Sequence, residues 1–339
     1  MSRSVRRAGA QVGQGRVEVH LLQHCITISA PLPQDYGRVT SLWLEKCGES
    51  PPQSANVRGG LTGSGAMDIV ERVCTAYAWQ RALGHNTVRD PFCCLVWDRA
   101  YPDVWDANHV SGVRARTAAD IDQVLQRADE TFGHCHHRFF VVDPLTPAAF
   151  VARLALDDYR ELTPTIQLVL EGRLRAHPRD LDLRLVTTEA DWQCLYTLVR
   201  HNHTAGEPIH GGAIPAEVTR GMVASYRQKA PVYQFFLARQ DGVDCAYGAG
   251  VLCANGLGMV EDLFTLPAFR KRGIATAIIA RAITHVRQQG AEQILIGAHA
   301  TEPPKRLYAA LGFAPVCVTR EYITHIDRVA GLGSLRHSG

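Results

Sequence analysis

The chain of 339 residues is longer than one typical domain and fits two of modest size. Its 36 Lys and Arg against 33 Asp and Glu leave a formal net charge of +3, too small and too scattered for a dedicated nucleic-acid binder. Apolar residues make up 46% of the chain, enough for a sizeable core, yet no run approaches the length that spans a bilayer. The basic start "MSRSVRRAGA" also lacks the apolar centre of a signal peptide. Ten cysteines occur without a CxxC pair, and several, such as Cys245 and Cys253, sit in apolar runs where a thiol acts as a small buried hydrophobe. The expectation is a cytoplasmic protein in a reducing compartment, without a nucleic-acid or membrane partner.

Residues 1–66 carry little apolar surface beyond Val17 to Ile28 and are glycine- and serine-rich in "SANVRGGLTGSGAMD", so a poorly ordered extension is expected. Met67 then opens "MDIVERVCTAYAWQRALG", where Ile69, Val70, Val73, Tyr77 and Leu83 recur at helical spacing. Translation from Met1 and from Met67 both stay open. A first α/β domain over residues 67–175 ends in the basic, proline-bearing connector "GRLRAHPRDLD". Residues 181–328 form a second unit, and 329–339 a C-terminal tail.

The second unit begins with a strand and a helix that Thr187 or Thr188 can cap, followed by a helix in "PAEVTRGMVASYRQ". Three strand-like runs follow: "VYQFFLAR", "CAYGAGVLCA" and "GMVEDLFTL". Gly273 to Gln289 then places Ile274, Ile278, Ile279, Ala282, Ile283 and Val286 on one helical face. After it come "QILIGA", a short helix "PPKRLYAALG", and the strands "FAPVCV" and "REYITHI". The fold class expected is α/β of the α+β kind: a mixed, largely antiparallel sheet flanked by helices, preceded by a smaller α/β domain.

The chemistry concentrates at "LPAFRKRGIATAII". Pro267 ends the strand ladder, and the next helix starts with N–H groups that lack intrahelical partners and point outward with the positive end of the helix dipole. Gly273 lets an anion approach those groups, and Arg270, Lys271 and Arg272 add full charge around them. That geometry suits a pyrophosphate. It matches neither the GxxxxGK[ST] loop nor the GxGxxG turn.

Arg270-x-x-Gly273-x-Ala275 between strand and helix, followed about thirty residues later by "RLYAALGF", resembles the acyl-CoA signature of the GNAT superfamily of N-acetyltransferases. The resemblance covers residues 181–328. It implies acetyl-CoA as co-substrate, its pyrophosphate on the backbone amides of Arg270, Lys271, Arg272, Gly273, Ile274, Ala275 and Thr276. It also implies that the strand through Leu263, Phe264, Thr265 and Leu266 splays from its neighbour to pair with the pantetheine arm. Tyr308, in the family's "LY" position, would protonate the departing thiolate. The base that frees the acceptor amine is either Glu261 or water. Thr301 stands where the family often has asparagine, so that contact is not carried over.

Three clusters of titratable residues complete the reading. "HNHTAGEPIHGG" puts His201, His203 and His210 in the expected loop between the first two helices of this unit, where they either touch substrate or are solvated. "GHCHHRFFVV" holds His134, Cys135, His136 and His137, whose alternating directions on a strand disfavour chelation, so no metal is expected. "YPDVWDANHV" brings Asp106, Asn108 and His109 together after Trp105 at a turn entering a strand.

The stretch "RFFVVDPLTPAAFVARLALDDYRELTPTIQLVLEG" repeats the strand, proline-started helix and strand of "QILIGAHATEPPKRLYAALGFAPVCVTREYI". The first unit is therefore read as a degenerate GNAT-like half without a CoA loop, its end serving as a lid or acceptor wall. Two functions stay open: an N-acetyltransferase that moves acetyl from acetyl-CoA to a small-molecule amine or peptide acceptor by direct attack in a ternary complex, and a non-catalytic CoA-binding or protein-interaction module. The oligomeric state is open between monomer and homodimer.

Overall fold

The computed structural model describes residues 68–204 and 214–326. The expectations for residues 1–66, Met67, His210 and the tail lie outside the described residues.

The first half opens with helix α1 (Ile69–Ala82), whose Val73, Ala76, Tyr77 and Leu83 flank are buried as their spacing dictates. Strands β1 (Asn86–Asp90), β2 (Cys93–Trp97) and β3 (His109–Ser111) form an antiparallel meander. Helix α2 (Ala118–Thr131) crosses over to β4 (His137–Val142), which runs parallel to β3. Helix α3 (Ala148–Leu156), a two-residue β5 (Arg160–Glu161) and β6 (Thr165–Leu170) complete this half.

The second half starts with β7 (Asp182–Leu185) and helices α4 (Glu189–Thr204) and α5 (Ala216–Gln228). Thr188 caps α4: its Oγ1 accepts from Asp191 N at 3.2 Å, and Asp191 Oδ2 accepts from Thr188 N at 3.1 Å. The meander β8 (Tyr233–Gln240), β9 (Val243–Leu252) and β10 (Gly258–Thr265) leads through α6 (Ile274–Gln288) to the parallel β11 (Ile294–His299). Helix α7 (Pro304–Leu311) and β12 (Ala314–His325) end the fold. "FAPVCV" and "REYITHI", expected as two strands, are one, because "VCVTREY" offers no turn residue to break it.

Both halves repeat one plan: an antiparallel meander, a helical crossover to a parallel strand, a helix and a last strand. The last strands are exchanged. β6 lies antiparallel to β11 of the second half, and the far end of β12 lies antiparallel to β4 of the first. β6 and β12 also pair with each other, giving one continuous sheet in the order β1-β2-β3-β4-β12-β6-β11-β10-β9-β8-β7. Segments 67–175 and 181–328 thus share a sheet, and the connector between them packs: Arg175 N donates to Leu311 O at 2.9 Å.

The sheet is mixed and largely antiparallel, with helices on both faces. Alternation along each strand assigns the faces. Phe139, Val141, Val169, Leu295, Met259 and Ile323 face α1, α4 and α5. Phe140 and Val142 face α2 and α3. Leu168, Val260 and Ile296 face α6 and α7. Among the described residues no helix is long and apolar enough to cross a membrane.

Candidate active site

The splay at the centre of the second half comes from two local features. Parallel pairing of β10 with β11 runs only from Gly258↔Ile294 to Val260↔Ile296, although the strands continue to Thr265 and His299. On its other edge β10 carries a bulge between Glu261 and Phe264, with Asp262 at φ 57°. The strand bends away there and leaves a V-shaped opening between β10 and β11. Leu263, Thr265 and Leu266 are half-buried along it, while Phe264 is buried and stacks on Tyr247 with ring centroids 5.6 Å apart.

Beyond β10 a short turn at Pro267–Phe269 feeds the basic loop. Lys271 (φ 61°) and Gly273 (φ 80°, ψ 3°) both take the left-handed conformation, which turns the chain into α6. No side chain caps this helix. Its first N–H groups therefore face outward above an exposed stretch from Arg270 to Gly273, with Ala275 and Thr276 half-buried behind and Ile274 anchored in the core. The cations are held close by backbone acceptors. Arg270 Nε donates to Thr265 O at 3.1 Å, Arg272 Nη2 to Ala268 O at 3.0 Å, and Arg179 of the connector reaches Arg272 O at 2.9 Å.

The first half treats the equivalent helix end differently. Thr117 Oγ1 accepts from Asp120 N and Asp120 Oδ2 accepts from Thr117 N, both at 3.2 Å. The start of α2 is thus closed by a capping box of the protein's own side chains, whereas no side chain caps the equivalent start of α6.

Glu261 is the first residue past the end of the β10–β11 pairing. Its Oε1 is enclosed and has no hydrogen-bond partner among the described residues. Burial pushes its carboxyl up to about 7; Arg81 pulls it back, Asp106 raises it, and Lys229 lowers it. Tyr308, on α7, is 2% exposed and its ring centroid lies 6.2 Å from that of Phe313. Burial first, and then the charges of Glu261 and Glu302, hold its phenol well above the usual range. The two groups approach the opening from opposite faces of the sheet, Glu261 from the α1 side and Tyr308 from the α6–α7 side.

A buried polar group beside Glu261 has no counterpart in the expected site. Arg81 of α1 gives Nη2 to Glu321 Oε1 at 2.5 Å and to Tyr77 Oη at 2.8 Å, and its Nη1 to Asp106. Glu321, on β12, is 1% exposed, and burial raises it to about 7 against the pull of Arg81. The available signal was an acidic residue in step with inward-facing Thr319 and Ile323.

The histidines go elsewhere. His201 and His203 lie in the last turns of α4 rather than in a loop, because His203 continues the buried stripe of Leu195, Leu198 and Val199. His203 Nδ1 meets Thr219 Oγ1 at 2.8 Å, and burial pulls it down to about 4. His134 pairs with Asn108 Oδ1 at 2.8 Å, and His137 is buried beside Trp105. Among the described residues no group of three or more His, Cys, Asp or Glu is placed to hold a metal ion.

Comparison with known proteins follows the same geometry. Residues 231–315, which include the splay, the basic loop, α6 and α7, match the acetyltransferase (GNAT) domain family. Among solved structures, a GCN5-related N-acetyltransferase from Kribbella flavida aligns at 16% identity over 78% of this chain and 99% of its own, with a TM-score of 0.58. A conserved protein of unknown function from Staphylococcus epidermidis aligns at 12% identity over 72% of this chain and 95% of its own, with a TM-score of 0.54. At these identities the likeness is one of fold. No curated protein matches the sequence.

Proposed function

From the premise that this chain carries a GNAT acetyltransferase domain, we propose that it is an acyl-CoA-dependent N-acetyltransferase that passes acetyl directly to an amine acceptor. The observation that carries this reading is the uncapped, glycine-started end of α6 under three cations, at the mouth of a splayed strand pair. The residues suit the co-substrate: at the uncapped start of α6 Gly273 takes φ 80°, which glycine adopts without strain, and a Cβ there would press on Arg179 Cδ at 3.3 Å. The amides of residues 270–276 would hold the pyrophosphate, and the free edge of Leu263 to Leu266 would take the pantetheine arm.

Bound acetyl-CoA supplies an activated thioester. The acceptor attacks only as a neutral amine, so a base must remove its proton. In this reading Glu261, whose carboxyl burial pushes up to about 7, accepts it. The new C–N bond forms as the C–S bond breaks, Tyr308 gives its phenolic proton to the departing sulfur, and the surplus proton on the new amide nitrogen passes to water, from which Tyr308 is reprotonated. Burial keeps that phenol un-ionised until then. The first half adds α1 and the exchanged β6 as one wall of the acceptor side. The expected cellular setting is the cytoplasm.

Release of CoA thiol with a panel of amines tests the proposal. Amine-dependent turnover is expected; saturable acetyl-CoA binding without turnover for any amine would instead mark a binding module.

A further inference from the structure

Two thiols meet where helix α1 of the first half lies on strand β12 of the second. Along α1, Cys74, Tyr77 and Arg81 recur at helical spacing and form one stripe. The later end of the stripe is tied to β12, where Tyr77 Oη donates to Glu321 Oε1 at 3.3 Å and Arg81 Nη2 donates to the same oxygen at 2.5 Å. Cys317, Thr319 and Glu321 alternate onto one face of β12, so the earlier end of the stripe meets Cys317. There the Cys74 thiol donates a hydrogen bond to the Cys317 sulfur. A bulge between Pro315 and Cys317 helps to bring the strand in: Val316 and Cys317 both pack against the core that holds Val73, Ala76 and Tyr77.

Both cysteines are free thiols, and their surroundings differ. The hydrogen bond from Cys74 holds the Cys317 thiol below its ordinary range, against burial and the charge of Asp143. Donating that bond, together with burial, pushes the Cys74 thiol up. Cys317 is thus the readier thiolate, and it is half-buried rather than enclosed. Cys74 is 5% exposed but lines a cavity of about 320 Å³ with Thr75, Gly112, Arg114 and Asp143, so a small solute reaches the pair from that side too. Arg114 clamps Asp143 there, its Nη1 and Nη2 donating at 3.1 and 3.0 Å.

We propose that Cys74 and Cys317 are a redox-active dithiol, which a hydroperoxide oxidises to a disulfide between α1 and β12. The Cys317 thiolate attacks one peroxide oxygen; the S–O bond forms as the O–O bond breaks, leaving a sulfenic acid and an oxyanion that takes a proton from water. The Cys74 sulfur then attacks the Cys317 sulfur. The S–S bond forms as the S–O bond breaks, and the departing hydroxide leaves as water with the Cys74 proton. The two sulfurs together give up two electrons, and the peroxide takes them. In a reducing compartment such a bond is transient and reports redox state. It pins α1 to the strand that carries Glu321, independently of any acyl transfer.

The test treats the reduced full chain with about two equivalents of hydrogen peroxide, blocks remaining thiols with N-ethylmaleimide, and maps unreduced peptides by mass spectrometry. Among the ten cysteines, the Cys74–Cys317 link should form at least about ten-fold faster than any other and should vanish with dithiothreitol. The oxidised chain should unfold at higher urea than the reduced one, since a cross-link between segments distant in sequence constrains the unfolded chain. Cys74→Ala should lose the link and leave Cys317 as a sulfenic acid that dimedone labels. The mapping needs no variant, so it stands even if Cys74→Ala does not fold. Absence of the Cys74–Cys317 link, or a link no faster than those between other cysteines, overturns the proposal. So does a folded Cys74→Ala chain whose Cys317 takes no dimedone.

Discussion

Replacing Glu261 by glutamine removes the proposed base while keeping its volume. Its carboxyl titrates near 7 because burial disfavours the anion, and Arg81 and Lys229 recover part of that cost against Asp106. A base with that value is about one-tenth ionised at pH 6 and about nine-tenths at pH 8, so kcat/KM should rise about ten-fold across that interval and then level off. Glu261→Gln should lose the inflection, and kcat should fall by about 10² to 10⁴. Glu321 also titrates near 7 and shares Arg81 and Asp106 as neighbours, so it needs a control. Glu321→Gln should keep the inflection in kcat, since its carboxylate lies away from the reacting nitrogen. The assay is CoA release at saturating acetyl-CoA from pH 5.5 to 9, with amine ionisation corrected. A wild-type profile without a rise near 7, or a Glu261→Gln enzyme with undiminished kcat, would refute Glu261 as the base and leave that role to water.

Three further substitutions test other parts. Tyr308→Phe keeps the ring beside Phe313 and deletes the hydroxyl, so acetyl-CoA affinity by calorimetry should hold while kcat falls by about 10² to 10⁴. Gly273→Val should weaken acetyl-CoA binding and also lower thermal stability, because a β-branched residue at φ 80° adds about 1–2 kcal/mol of backbone strain; unchanged affinity would remove the loop from the site. Arg81→Met strands the buried carboxylate of Glu321 and the half-buried one of Asp106 and should cost about 3–5 kcal/mol in urea unfolding at pH 7.5, whereas a cost below about 1 kcal/mol would mean that these ion pairs contribute little.

Much of the second half was legible because its signals are local. The spacing of Ile274, Ile278, Ile279, Ala282, Ile283 and Val286 marks one face of α6, and all six are buried. Pro267 and Gly273 mark the turn that joins it to β10. The mixed sheet flanked by helices was expected and is found. The strand exchange was not legible. "TIQLVL" and "APVCVTREYITH" read as strands, but residue alternation says nothing about which strand lies alongside. The second carboxylate was hidden for the same reason, since Glu321 meets Arg81 across 240 residues of sequence. His201 and His203 read as loop because polar residues crowd "HNHTAGEP", while the buried stripe of α4 runs on through His203.

Direct transfer within the second half is the central claim, and initial-velocity kinetics tests it most directly. CoA release is measured while acetyl-CoA is varied at several fixed concentrations of the best amine in the panel. Attack by the amine on enzyme-bound acetyl-CoA predicts release that depends on both substrates and double-reciprocal lines that intersect. Parallel lines would mean that acetyl first passes to the protein, and release independent of every amine would mean that no acceptor is used.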